Sequence, residues 1–516
     1  MATISVGAKK YATLAEAVAG AKTGDTIAIS GAHTGQLTIN HELIVVGTGG
    51  ASITAAAGPA VQCCASGVKI SGVALSAADS EVACVTVAIS CTLALDACEV
   101  RNYMGDGVRA LGECVLTSCK VLECGAYGMV AHDGGLIRTS NSTIALNTKT
   151  GALAKGKGAR IILGEGTTIE KNKLHGVGAD SGGAVSASKV SIRENAYLGV
   201  NVGEGSKAQL NECLIHNNAL HGIQVTAGNL EVSQSAITKA GKLGVFVNPP
   251  PQPPAATGAA QARSAEDEQR RAWVRLDRVE VTNCGFFGVH ITGGYLDATD
   301  VDILQSGDSG IVCKGGITRM SNCTISNNTK YGVSLSCQPG QGGALISEAQ
   351  GELKECTIAG NAGLGVHCSG AVCTLVGCKV LRTRLPPAAE QAAGSGVAAV
   401  LGGLVSISGC KIAENATFGI FVSGGRTGVC PRISGVTVGK TAVIGNGTYG
   451  ASVAQASPDS PFSANLRIAS GCDFSFNAQG EVEGVFSKEP PAVAYLGVVA
   501  ALVAVAAIVV WRSKRG

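Results

Sequence analysis

A glycine followed by an aliphatic residue returns along this chain at intervals close to 22 residues, nine residues after a small or β-branched residue. The glycines are Gly107, Gly128, Gly151, Gly176, Gly199, Gly222, Gly244, Gly288, Gly310, Gly332, Gly365 and Gly419, with Gly396 and Gly450 as displaced members. Nine positions earlier stand Cys98, Cys119, Ser142, Thr167, Val190, Cys213, Ser235, Val279, Val301, Cys323, Cys356 and Cys410. An offset held through a dozen copies means that one structural unit is stacked many times.

One unit shows what that unit is. In Leu210 to Val225, Leu210, Cys213 and Ile215 belong to one short strand with Cys213 and Ile215 pointing the same way, Asn217 and Asn218 turn the chain, and Gly222 opens a second strand. There Ile223 and Val225 face one side and Gln224 the other. The positions one and three after each glycine are aliphatic or Cys, as in Val200 and Val202, Val289 and Ile291, or Ile311 and Cys313, so both columns are interior. No apolar run at helical spacing persists. Short strands, two or three per turn and stacked at one strand spacing, make a parallel β-helix. Glycine is expected at a corner because it reaches positive φ cheaply. Asn147, Asn172, Asn195, Asn218, Asn328, Asn361 and Asn415 each follow the first marker by five residues, and are expected to hydrogen-bond from coil to coil.

On these residues the chain resembles the right-handed parallel β-helix superfamily, often called pectin-lyase-like. Residues 11–29 look like that family's opening, a short capping helix followed by a Gly-Asp-Thr-Ile strand, and residues 46–50 look like its first corner. The resemblance implies an all-β solenoid over residues 1–480, of roughly 17 coils of about 22 residues and on the order of 80 Å long. The abundance of glycine (72 residues), with only 4% aromatic and 15% charged residues, suits tight corners and a thin aliphatic interior.

The cysteines fall into interior columns: Cys98, Cys119, Cys213, Cys323, Cys356, Cys378 and Cys410 in one, Cys313 and Cys368 in another. Their columns are otherwise Ser, Thr and Val, so they read as core fillers rather than disulfide or metal partners, and a reducing compartment follows. No metal or cofactor is expected.

Residues 481–491 read as a linker, and 492–511 as a twenty-residue uncharged run, long enough to form a single C-terminal transmembrane helix. Tyr495 and Trp511 suit the two interfaces, and residues 512–516 form a basic tail. No leader is read ahead of the capping helix. The pattern resembles a tail-anchored protein with the β-helix in the cytosol, on the mitochondrial outer membrane or peroxisome in preference to the endoplasmic reticulum.

Chemistry is sparse. Relatives of this fold that cleave polygalacturonate carry clustered Asp, a Gly-His-Gly and an Arg-x-Lys. Here Asp297, Asp300, Asp302 and Asp308 cluster, but histidine precedes the repeat glycine only in Leu174-His175-Gly176 and Leu220-His221-Gly222. Asp300 and Asp302 flank the inward Val301 and point outward, and Arg278 beside Asp300, like Glu99 beside Lys120, reads as an exposed ladder pair. His175 and His221 read as corner packing, two coils apart and too distant to share a metal. No catalytic, cofactor-binding or metal-binding residue is assigned. Insertions are expected at 249–272, 338–350 and 384–395, with a small basic one at 155–160. The expectation is a membrane-anchored, non-enzymatic scaffold that presents its edge loops to protein partners, with no nucleic-acid partner. The alternative is a carbohydrate-binding or carbohydrate-active protein; a cleft lined with carboxylates and aromatics on contiguous coils would favour the enzyme, and the sequence shows none.

Overall fold

In the computed structural model, the described residues are 2–78, 82–249, 272–339, 345–386, 392–424, 434–454, 464–483 and 487–488. One coil contains three strands. Lys207–Asn211 forms a long face, Leu214–His216 a short face and His221–Thr226 a third, the glycine face. The next coil repeats each strand in parallel register, pairing Lys207 with Asn229, Leu214 with Ala236 and His221 with Leu243. Among the described residues the glycine face stacks 18 strands, close to the coil number expected. The interior is aliphatic: Ala208, Leu210, Ile215, Ile223 and Val225 are all buried. Each such Ile or Val contributes about 1.5–3 kcal/mol by leaving water.

The corners correct the reading in three places. Leu210 and Ile215 do not share a strand; Glu212, with φ of 52°, bends the chain between them and turns Cys213 inward. The residue ahead of each marker does the same, as at Ser118, Asn141, Arg278 and Asp300. Left-handed backbone is therefore carried mostly by non-glycine residues. The repeat glycines have another cause. A Cβ on Gly199 would stand 2.5 Å from the Gly222 carbonyl oxygen, 2.7 Å from Ile215 Cγ2 and 2.8 Å from Asn218 Nδ2. They are glycine because adjacent coils touch there, not because φ is positive. Finally, Gly396 and Gly450 are fully in register, their neighbours Val397 and Ala451 both flanking Ile420; only the chain between them is longer.

The asparagine column forms the ladder expected. Asn147 Nδ2 donates to Asn172 Oδ1 at 2.9 Å, Asn172 to Asn195 at 3.0 Å, and Asn195 to Asn218 at 3.0 Å. Each Oδ1 also accepts the backbone N–H of the residue below, which satisfies a buried turn donor. The ladder stops at Ala240, Cys284 and Ser306 and resumes from Asn328 to Asn361 and from Asn415 through Asn446 to Asn477.

The N-terminal cap is the helix Leu14–Gly20, started by a reciprocal Thr13–Glu16 capping box. Its neighbours Thr3–Val6 and Lys9–Tyr11 pair antiparallel, an addition the repeat pattern does not announce. Residues 46–50 are not an isolated corner; they lie within one continuous strand, Ile44–Ala55, bent where Gly49 and Gly50 take positive φ.

Residues 155–160 hold one residue more than the matching connection: Ala154 and Arg160 stand in register with Ala179 and Ala184, so five residues fill a step that takes four in the next coil. A second extra residue lies between Leu163 and Thr168, which stand in register with Ala187 and Ser191. Of the longer insertions, 250–271, 340–344 and 387–391 lie outside the described residues, as does the apolar run 492–511. Among the described residues no helix is long and apolar enough to cross a membrane.

Candidate ligand-binding face

The three faces differ on their outer sides. The long and short faces carry charge in ladders. Arg138 pairs with Glu113 at 2.9 Å, Arg193 with Glu170 at 2.7 Å and Lys354 with Glu352 at 2.7 Å. The anticipated pairs shift by one partner: Arg278 meets Asp277 at 2.9 Å rather than Asp300, and Glu99 meets Arg101 rather than Lys120. Asp300 instead accepts from Asn322. Asp297 accepts from Trp273 Nε1 at 3.3 Å, and Asp308 from Ser309 Oγ at 2.6 Å. Three of the four aspartates are thus engaged with separate partners. Among the described residues no group of three His, Cys, Asp or Glu side chains could hold a metal ion.

The glycine face is different. Strand alternation turns outward the residue two after each glycine, and the corner sets the residue before the glycine beside that column. Over three successive coils these positions include His221, Phe246, Phe287 and His290, which form one continuous patch. His221 lies 5.5 Å from Phe246, Phe246 stacks on His290 at 5.3 Å, and Phe287 meets His290 edge-on at 5.1 Å. Phe286, 46% exposed, extends the patch around the corner at 4.1 Å from Phe287. These separations are those of favourable ring pairs. Further along, Tyr331 and His367 pair at 5.0 Å, and Phe418 and Phe421 at 5.5 Å. His175 and Tyr197 pair at 5.4 Å on the N-terminal side.

Burial removes charge from this patch. Desolvation lowers His175, His221 and His290 to about 4, with Lys242 adding to the effect at His221 and Lys314 at His290. The rings are therefore neutral near pH 7. His221 Nδ1 accepts the Leu243 N–H at 3.3 Å, while His175 Nδ1 and His290 Nε2 are buried without a protein partner. Polar groups border the rings: Asn248 Oδ1 accepts from Thr292 Oγ1 at 2.8 Å where the chain leaves for residues 250–271. The longer connections leave at the two ends of these same glycine-face strands, after Asn248, Ser336 and Ser423 on one side and ahead of Ser395 on the other.

The reading of His175 and His221 as packing residues agrees with their ring contacts. What it omitted is the column two after the glycine: Phe246, His290, His367 and Phe421. The signal was in the sequence as an aromatic or His at a fixed outward position, between two aliphatic residues.

No curated protein matches the chain in sequence. Among solved structures, a periplasmic alginate epimerase AlgG is 9% identical with a TM-score of 0.35, covering 66% of this chain and 81% of its own. The catalytic domain of a GH87 alpha-1,3-glucanase in complex with tetrasaccharides is 12% identical with a TM-score of 0.34, covering 67% of this chain and 62% of its own. The Azotobacter vinelandii mannuronan C-5 epimerase AlgE4 A-module is 14% identical with a TM-score of 0.32, covering 78% and 89%. Similarities at this level transfer no site residue. The family description "Right handed beta helix region", by contrast, fits residues 83–249, 258–380 and 288–480, the same stretch over which glycine, asparagine and inward aliphatic columns stay in step. By that match, which takes in most of its length, the chain belongs to the right-handed beta-helix family.

Proposed function

We propose that this protein binds a glycan along its glycine face without cleaving it. The observation that carries the reading is the contiguous, uncharged patch of His221, Phe246, Phe287 and His290. Flat rings offer stacking surface to the C–H faces of sugar rings, and bordering Asn, Thr and His groups offer hydrogen bonds for hydroxyls; such mixed lining is usual in ligand sites. The same patch lacks the positive charge that a nucleic-acid backbone demands. Among its described residues it also lacks the paired carboxylates of glycoside hydrolysis, which supports binding over catalysis. The rings carry no charge to meet a carboxylate, so neutral sugars fit them better than polyuronates, with Lys242 beside His221 and Lys314 beside His290 as bordering cations.

The apolar run 492–511 supports a further part of the reading, a rod held at a bilayer on the cytosolic side, where free thiols persist. Val503→Arg is expected to release the protein from membranes on alkaline extraction. Release of the wild type under the same extraction would count against the anchor.

Affinity electrophoresis through gels containing neutral glucans or polyuronates tests the site. Retardation by a neutral glucan is expected, reduced at least about tenfold in Phe246→Ala/Phe287→Ala. Equal retardation of wild type and double variant would remove the site, and no retardation by any glucan would return the face to a protein-partner role.

A further inference from the structure

Four cysteines occupy the same bend on successive coils: Cys323, Cys356, Cys378 and Cys410, all buried and free. Their thiols are not isolated. Cys356 stands close enough to Cys323 and Cys378, and Cys378 to Cys410, for each thiol to perturb the next. The Cys378 N–H also donates to Cys410 Sγ at 3.3 Å. The strands that follow these bends, Thr357–Ala359, Lys379–Leu381 and Lys411–Ala413, pair in register, so consecutive Cα atoms are about 4.8 Å apart. That spacing falls within the roughly 4.4–6.8 Å range of Cα separations that a disulfide spans.

One pair of rungs, as fully buried as the others, has glycine on both of its bends. At the bend, the residue ahead of each cysteine shields it from water. It is Ala97 before Cys98, Ser118 before Cys119, Asn322 before Cys323 and Glu355 before Cys356. Before Cys378 and Cys410 it is Gly377 and Gly409, with φ of 63° and 64°. A Cβ on Gly409 would find nothing nearer than the Gly377 backbone nitrogen at 3.8 Å, so no side chain roofs that bend, while a Cβ on Gly377 would stand 3.4 Å from Glu355 Cγ.

We propose that Cys378 and Cys410 form a latent disulfide, an oxidation site reached through the Gly377–Gly409 opening. The oxidant is a small-molecule disulfide. One protein thiolate attacks it and releases one small thiol; the second protein thiol then displaces the other, so two protein hydrogens leave with two reduced small thiols. The bond joins adjacent coils without moving the backbone, and it staples the segment on either side of residues 387–391. Hydrogen bonding from neighbouring thiols, Cys356 foremost, holds Cys378 below the ordinary thiol range, which suits it to attack first. The pair Cys98–Cys119 is the internal control. It has the same thiol contact, but Ala97 and Ser118 cover it.

The test treats the folded full-length protein with 2-hydroxyethyl disulfide, blocks residual thiols with maleimide after denaturation, and maps linked peptides without reduction. A Cys378–Cys410 link is expected, forming at least about tenfold faster than any Cys98–Cys119 link. Gly409→Asn should slow it, because Asn takes positive φ at other bends such as Asn322 and would cover the opening. Cys410→Ser should abolish it while the fold survives, since Ser142 and Ser235 fill the same column elsewhere. Protection of buried Cys213 from native labelling verifies that the chain stays folded throughout. Absence of the link when exposed Cys64 is fully modified overturns the proposal. Equal rates for the two pairs, or a rate unchanged by Gly409→Asn, overturn the opening on which it rests.

Discussion

The coils from Asn147 to Asn218 and those carrying Ala240, Cys284 and Ser306 make the same turn in two ways. The left-handed residue ahead of the corner is alike in both, with φ of 56° at Asn217, 52° at Lys239, 55° at Asn283 and 57° at Gln305. In the first set an amide ladder ties each turn to the next. In the second the interior of the corner is apolar or a lone hydroxyl, and Ser306 Oγ is buried without a partner. Two of these less firmly tied coils carry Phe246, Phe287 and His290 and the departure to residues 250–271, while His221 lies on the coil of Asn218. Backbone geometry is thus set by strand register, which both sets share. The side chain at the corner decides how strongly one coil holds its neighbour.

Glycine is common to both sets, so the largest expected effect should not distinguish them. Gly199→Val brings a branched side chain to where a Cβ already stands 2.5 Å from the Gly222 carbonyl oxygen. Gly244→Val meets Val281 Cγ1 at 2.4 Å and the Gly288 carbonyl oxygen at 2.5 Å. Each should cost more than about 4 kcal/mol and be seen as loss of the protease-resistant rod. Survival of Gly244→Val alone would show that the untied coils are looser than their geometry implies.

The next largest effect should separate the sets. Asn195→Ala deletes the donor to Asn218 Oδ1 and strands both Asn172 donors that its Oδ1 accepts, at 3.1 and 3.0 Å. With buried groups left unpaired, roughly 2–4 kcal/mol of local stability should go. Cys284→Ala, at the equivalent position, should cost about 1 kcal/mol or less, as only a small apolar group is lost. Amide hydrogen exchange resolved by coil is the measurement, because a solenoid opens locally rather than all at once. Equal losses would mean that the ladder adds nothing beyond packing.

Acid should act first on the coils that hold the buried histidines. His221 and His290 titrate near 4 in the folded chain and near 6.5 once unfolded. Between those values the unfolded chain binds more protons, so the stability these rings support is complete above about pH 6.5 and declines as the pH falls through 4. Hydrogen exchange in strands His221–Thr226 and Val289–Ile291 should accelerate over that window, and His290→Phe should flatten the response. An identical profile in the variant would remove His290 as a cause.

The smallest effect is a gain. Ser306→Asn restores a rung below Asn328, whose Oδ1 already accepts the Ser306 N–H at 2.9 Å. A stabilisation of about 1 kcal/mol in that coil is expected. A loss instead would show that the gap exists because the corner has no room.

Much of the fold was legible because its forces are local and repeated. Alternation of Ile223 and Val225 about Gln224 can only be a strand with one buried side. Asn at a constant offset from Cys213 or Ser142 can only serve a turn that recurs. The cause of the glycines was not legible, since a sequence cannot tell a residue needed for positive φ from one needed for close approach. Nor was the bend at Glu212, where an ordinary charged residue adopts a conformation usually left to glycine. The ring patch was half legible: Phe246 and His290 stand at fixed positions, yet they lie 44 residues apart in the chain.

The sequence by itself determined the solenoid, its strand faces and its interior, because each depends on side chains within one coil and that coil is repeated. The tertiary structure alone decided which coils are tied by amides, which outward rings meet, and which buried thiols lie beneath glycine. Those are contacts between coils. Insertions such as residues 250–271 alter the spacing in the chain between such partners, while the stacking of strands holds them one step apart in space.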